Sequence, residues 1–145
     1  MGLSVLMNEI KEIDEKIFLN DKGNIYRFLK KTDKYYQNFA EIYFTKIKHN
    51  QIKGWKKHTL MKMNLTVPVG NVEFVFYDDD YEEFRSIIIG DENYKRLYVP
   101  SGIWFAFRGI NKSTNLVANF SNILHDDSEV KTQPLDNFKY NWLKE

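Results

Sequence analysis

Apolar and polar residues alternate with a period of two along much of this chain, the pattern of strands that present opposite faces to different surroundings. Phe39 to Ile47 places Ala40, Ile42 and Phe44 on one side and Glu41, Tyr43 and Thr45 on the other. Val72 to Asp78 aligns Phe74, Phe76 and Asp78, so a carboxylate ends an apolar row. Met61 to Val67, Phe84 to Ile89, Lys95 to Val99, Ile103 to Arg108 and Thr114 to Phe120 also read as strands. Turn residues separate them: Pro68 to Gly70, Gly90 to Asn93, Pro100 to Gly102 and Gly109 to Lys112. Met7, Ile10, Ile13 and Ile17 sit near helical spacing, yet Asn20 to Asn24 reads as a hairpin turn, which favours extended arms over residues 7 to 17 and Ile25 to Lys30. About nine or ten short strands predict an all-β antiparallel sandwich or barrel. Asp126 to Glu145 is expected to form a short helix or tail against the sheet or a partner subunit.

The 145 residues form one expected domain, 1–145, large enough for a core without staples. A net charge of +1 gives no bulk reason to bind nucleic acid or a membrane. No apolar run approaches the ~18 residues of a span. The start, Met1 to Met7, lacks the basic and apolar regions of an export signal, so a cytoplasmic location is expected.

The absence of cysteine removes disulfides, thiolate metal ligands and a cysteine nucleophile. His49, His58 and His125 are the histidines. A common small-barrel metal pattern has His two apart and another beyond a Pro-x-Gly turn, but those places hold Lys56, His58 and Phe105, so neither a metal nor another cofactor is expected. The acidic loop Asp78 to Glu83 lacks the glycine and terminal glutamate of a calcium loop. The seven glycines form no phosphate-binding fingerprint, leaving Lys53, Lys22 and Arg27 as candidate phosphate contacts. In Gly54-Trp55-Lys56-Lys57-His58, alternation points Lys56 and His58 the same way. Lys56, His58 and Asp78 are the catalytic candidates for metal-free acid and base chemistry beside a ketone, and Tyr43 and Tyr77 are candidate substrate-binding or acidic phenols.

Three stretches, Ile52 to His58, Val69 to Asp79 and Leu97 to Phe105 with its Pro-x-Gly-Ile-Trp sequence, resemble the sugar-nucleotide cupins. These are the dTDP-4-dehydrorhamnose 3,5-epimerase-like and sugar 3,4-ketoisomerase-like proteins; Asn20 to Gly23 and His125 to Glu129 also fit. The resemblance implies a homodimeric, cupin-type jelly-roll β-barrel with short terminal helical or irregular segments. It implies epimerisation or isomerisation of a nucleoside-diphosphate-linked keto sugar of the dTDP-4-keto-6-deoxyhexose type, in the making of surface polysaccharide precursors. A non-catalytic cupin that binds a sugar nucleotide or partner is the alternative. At the epimerase base position stands Lys56, at the preceding Arg stands Lys53, and of the paired ketoisomerase histidines the second corresponds to His58. Counting seven residues back from His125, the epimerase tyrosine position falls on Ala118. The extension that brings an Asp to the base in longer epimerases is expected to be absent, with the chain ending at Glu145.

Overall fold

The computed structural model describes residues 4–142; Met1 to Leu3, at the head of the segment read for an export signal, and residues 143–145 lie outside the described residues. A short helix α1 (Val5–Asn8) is followed by β1 (Lys11–Asp14), β2 (Ile17–Phe18), β3 (Ile25–Tyr26) and β4 (Glu41–Lys46). Then come β5 (Ile52–His58), β6 (Met63–Val69), β7 (Asn71–Asp78) and β8 (Glu83–Gly90). The last are β9 (Lys95–Val99), β10 (Trp104–Gly109), β11 (Leu116–Ser121) and β12 (Val130–Thr132). The fold is all-β apart from this helix and two 3-10 turns, at 127–129 and 135–137.

Two five-stranded antiparallel sheets carry the structure, in the orders β1-β9-β6-β11-β4 and β12-β5-β10-β7-β8, while β2 and β3 form a hairpin. This is the expected all-β antiparallel jelly roll; among the described residues each large sheet keeps two edge strands with no ladder to the other, so the sheets face each other without closing into a barrel. Between the sheets pack Leu65 and Val67 of β6, Phe74 and Phe76 of β7, and Leu97 and Val99 of β9, all at most 2 % exposed. Inward alternation on antiparallel strands accounts for this layer.

The ambiguous N-terminal segment contains both structures. Ser4 caps α1 by accepting from the Met7 N–H at 3.1 Å, and Met7 and Ile10 enter the core. Ile13 then belongs to β1, paired with Arg96 of β9. Ile25 to Lys30 is extended only at Ile25–Tyr26. The C-terminal segment contains a strand that the sequence reading lacked, β12, after which Phe138, Tyr140 and Trp142 lie on the outer face of the β5-β10-β7 sheet. There they cover Trp55, Val75, Trp104 and Ala106, which alternation turns away from the main core. Burying these rings gives the outer face an apolar layer of its own.

Candidate functional site

One feature of β5 shapes the site. Phe105 pairs with Lys56 and Phe107 with Lys53, so Gly54 and Trp55 together oppose Ala106 alone, which is a β-bulge. Without it, Lys53 and Lys56, three residues apart, would face opposite ways. With it, Lys53, Lys56 and His58 all line one cavity, and Trp55 is sent to the outer face. Glycine is required at 54: its φ is +154°, and a Cβ there would lie 2.2 Å from that of Ala106.

The cavity, of about 460 Å³, opens between the two sheets. Phe74, Phe105 and Phe107 from one sheet, with Leu65 and Val117 from the other, line its apolar part. Glu41, Tyr43 and Thr45 reach it from β4 and Asn119 from β11, opposite the Lys and His residues of β5. Apolar walls with a few convergent polar groups are the usual make-up of a small-molecule site.

His58 is 6 % exposed and its ring stacks on Phe105, with centroids 5.9 Å apart. Its Nδ1 donates to Glu129 Oε2 at 2.5 Å. Glu129, itself 3 % exposed, accepts through Oε1 from the backbone N–H groups of Leu60 at 3.0 Å and Met61 at 2.9 Å. Burial works to raise its carboxyl pKa, but the bonds from His58, Met61 and Leu60 outweigh burial and hold it below its ordinary value. An ionised Glu129 keeps the proton of a neutral imidazole on Nδ1 and leaves the Nε2 lone pair available as a base. The local fold fixes this pair: β12 follows Glu129 directly, and Val130 is in register with His58. Thr59 adds two bonds to the Glu129 carbonyl, from its N–H at 2.8 Å and its hydroxyl at 2.9 Å.

Of the residues singled out in the sequence, Lys53, Lys56, His58 and Tyr43 come together here. Asp78 does not. It stays on the row of Phe74 and Phe76 but at the end of β7, where it accepts from Ser4 Oγ at 2.6 Å and the Asp80 N–H at 3.0 Å. Glu129 stands beside His58, in the place that was expected for Asp78. Tyr77 faces the outer aromatic layer, stacked on Phe138 with centroids 4.4 Å apart, because odd-numbered residues of β7 point away from the cavity. Lys22 lies on the exposed 20–23 turn, and Arg27 lines a separate cleft with Glu15, Lys30 and Asp33. Ala118 shares the outward face of Phe44, its register partner, while its neighbour Asn119 faces the cavity. Glu129 carried no periodic signal because it sits on a 3-10 turn; its place within the His125 to Glu129 stretch was the available clue.

No protein-family model matches the chain, and no curated protein does. Solved structures do. A dTDP sugar isomerase of Desulfovibrio desulfuricans G20 is 26% identical, with a TM-score of 0.87 over 92% of this chain and 90% of that one. A sugar 3,4-ketoisomerase of Thermoanaerobacterium thermosaccharolyticum, in complex with TDP, is 15% identical, with a TM-score of 0.71 over 84% and 86% of the two chains. The dTDP-6-deoxy-D-glucose-3,5-epimerase of Legionella pneumophila, in complex with dTDP-4-keto-L-rhamnose, is 14% identical, with a TM-score of 0.73 over 88% and 79%. The chain shares the cupin-like fold of these neighbours, which are the kinds of protein that the sequence resembles, the dTDP-4-dehydrorhamnose 3,5-epimerase-like and sugar 3,4-ketoisomerase-like group.

Proposed function

We propose that this protein epimerises or isomerises a nucleoside-diphosphate-linked keto sugar of the dTDP-4-keto-6-deoxyhexose type, with His58 as the base. The observation that carries the reading is the His58–Glu129 pair on the wall of the cavity, with Nδ1 bound to the carboxylate. Deprotonating a carbon next to a ketone needs a base of near-neutral pKa, held so that its lone pair faces the sugar. Glu129 fixes the tautomer and favours the imidazolium that forms. Lys56, two residues back on the same face, brings a positive charge toward the enolate oxygen, and Lys53 toward the diphosphate. Similarity to a dTDP sugar isomerase supports the choice of substrate class.

The test is incubation of a dTDP-4-keto-6-deoxy sugar in heavy water with wild type, His58→Asn and Lys56→Ala. Deuterium is expected at the carbon next to the ketone with wild type, and to be lost with His58→Asn. Tight binding of the nucleotide sugar without label would instead make the protein a non-catalytic binding module.

We also infer a homodimer. Ile42 and Phe44, 47% and 64% exposed, form an apolar row on the outer face of β4, with Phe39 beside them at 58%. A monomer by sedimentation at micromolar concentration would refute this. From the nucleotide-linked substrate proposed above we also infer a cytoplasmic location, which recovery from a membrane pellet on cell fractionation would contradict.

A further inference from the structure

The charged groups of the cavity are separated along its length. β4 and β5 are joined at one end by residues 47–51, so Glu41, which opens β4, and His58, which closes β5, lie toward the other end. Thr45 and Lys53 lie toward the joined end, with Tyr43 and Lys56 between. A ligand whose diphosphate meets Lys53 therefore presents its sugar to His58 on one sheet and to Glu41 on the facing one.

Glu41 is a half-buried carboxylate fixed through one oxygen. Its Oε1 accepts the His125 N–H at 3.0 Å and its backbone carbonyl accepts Ser121 Oγ at 3.1 Å, while Oε2 has no hydrogen-bond partner among the described residues. No Lys, Arg or His side chain among those residues forms an ion pair with it. Its charge is felt inside the cavity: after burial, Glu41 is the main cause that holds the Tyr43 phenol above its ordinary value. The other charged groups on the cavity are Lys53 and Lys56, His58 with its bond to Glu129, and Asp127, bonded to His125 at 2.8 Å.

Resting on the keto-sugar reading above, we propose that Glu41 selects a nucleotide-linked keto sugar that carries an amino group on its ring. A diphosphate brings negative charge that Lys53 and Lys56 neutralise, while His58 with Glu129 and His125 with Asp127 form pairs of their own. Glu41 is left as a carboxylate without a cation, in a cavity whose ligand is an anion. That repulsion disfavours binding unless the ligand supplies a donor there, and the apolar walls strengthen whichever charge contact forms. A hydroxyl offers Oε2 one hydrogen bond. An ammonium offers the bond and the missing charge, so that donor and acceptor are both ionised. A site for a neutral sugar is better served by an amide of the same shape, which accepts the same bond without repelling the diphosphate.

The experiment compares dTDP-4-keto-6-deoxyhexoses that carry hydroxyls at carbons 2 and 3 with those in which an amino group replaces one of these hydroxyls. It reads kcat/KM for deuterium uptake beside the ketone, in heavy water, by NMR. Wild type is expected to favour one amino sugar over the hydroxyl sugar by about tenfold or more. Glu41→Gln, which keeps an acceptor for the His125 N–H and loses the charge, is expected to bring that ratio to within about threefold of unity. Asp127→Asn is expected to leave the ratio within about twofold of wild type, because the Asp127 side chain is 97% exposed and its charge is screened. A ratio of two substrates on one preparation does not depend on the folded fraction, so a partly misfolded variant still gives a valid result. A hydroxyl sugar used as well as both amino sugars, a preference that survives Glu41→Gln, or one that Asp127→Asn removes as completely overturns the inference and leaves the keto-sugar reading intact. No labelling of any of these sugars by folded wild type removes that reading, and this inference with it.

Discussion

Lys53 and Lys56 face the same cavity although an odd number of residues separates them, because the bulge at Gly54 and Trp55 resets the alternation of β5 between them. Two amines and the His58 imidazole are thereby gathered on one wall, and Trp55 is freed to anchor the other side of the sheet. Its indole donates to the Leu135 carbonyl at 3.1 Å, and its backbone exchanges two hydrogen bonds with Gln133.

Gly54→Ala is expected to destabilise the fold by about 2 to 4 kcal/mol, from a strained φ together with a clash against backbone and Cβ at Ala106. Urea unfolding measures this. Lost stability should come with weaker nucleotide-sugar binding even where the variant remains folded, since a flattened bulge would turn Lys53 away.

Glu129→Gln tests the base directly. The glutamine oxygen retains the N–H bonds from Leu60 and Met61, but its NH2 then points at His58 Nδ1. Nδ1 must become the acceptor, the ring proton moves to Nε2, and the lone pair facing the cavity is lost. A fall in kcat of about 10² to 10³ is expected with KM changed less than about threefold. Steady-state kinetics with the keto sugar check it, and unchanged kcat would mean that Glu129 is only structural.

The same pair sets a pH dependence of stability. Glu129 titrates below its ordinary value in the folded protein, so the unfolded chain binds its proton more readily. Its contribution is complete above the unfolded value and is lost as pH falls through the folded one. Urea midpoints from pH 7 to pH 3 should show Glu129→Gln less stable than wild type near neutrality, with the gap closing in acid. A gap that is constant with pH would show that the carboxylate's charge contributes nothing.

The strands were legible because alternation survives in the sequence, but the side facing the cavity was not. On β4 the apolar row Ile42 and Phe44 points outward while Glu41, Tyr43 and Thr45 line the cavity, the reverse of what burial of apolar residues alone would give. A site for a polar ligand inverts the usual pattern. Period two placed Asp78 correctly on the row of Phe74 and Phe76; it could not say that the end of that row meets Ser4 rather than His58. Glu129 lies 71 residues from its imidazole and depends on β12 pairing with β5, a three-residue edge strand too short to leave a pattern. The bulge was likewise hidden, because it is a property of two strands in register and not of either alone.

The C-terminal segment provides a test that separates support from chemistry. Phe138 stacks on Tyr77 and meets Trp104 and Trp55 at centroid distances of 5.3 and 5.5 Å, all on the face of the sheet away from the cavity. Tyr140, two residues on, donates its hydroxyl to Glu73 at 2.8 Å, and the Glu73 carboxylate also receives Arg108 and Ser86. This segment continues from β12, so its docking and the position of Glu129 share a backbone. Phe138→Ala removes a half-buried ring and is expected to cost about 2 kcal/mol, less than the 3 to 5 of a fully buried phenylalanine. For a chain of this length that lowers Tm by about 6 °C. Below the transition kcat should match wild type, because Glu129 is held independently by Leu60, Met61 and both Thr59 donors. Calorimetry and kinetics on the same preparation check both halves. A loss of kcat at unchanged Tm would mean that the docked segment, and not the Thr59 to Met61 backbone, sets the position of the carboxylate.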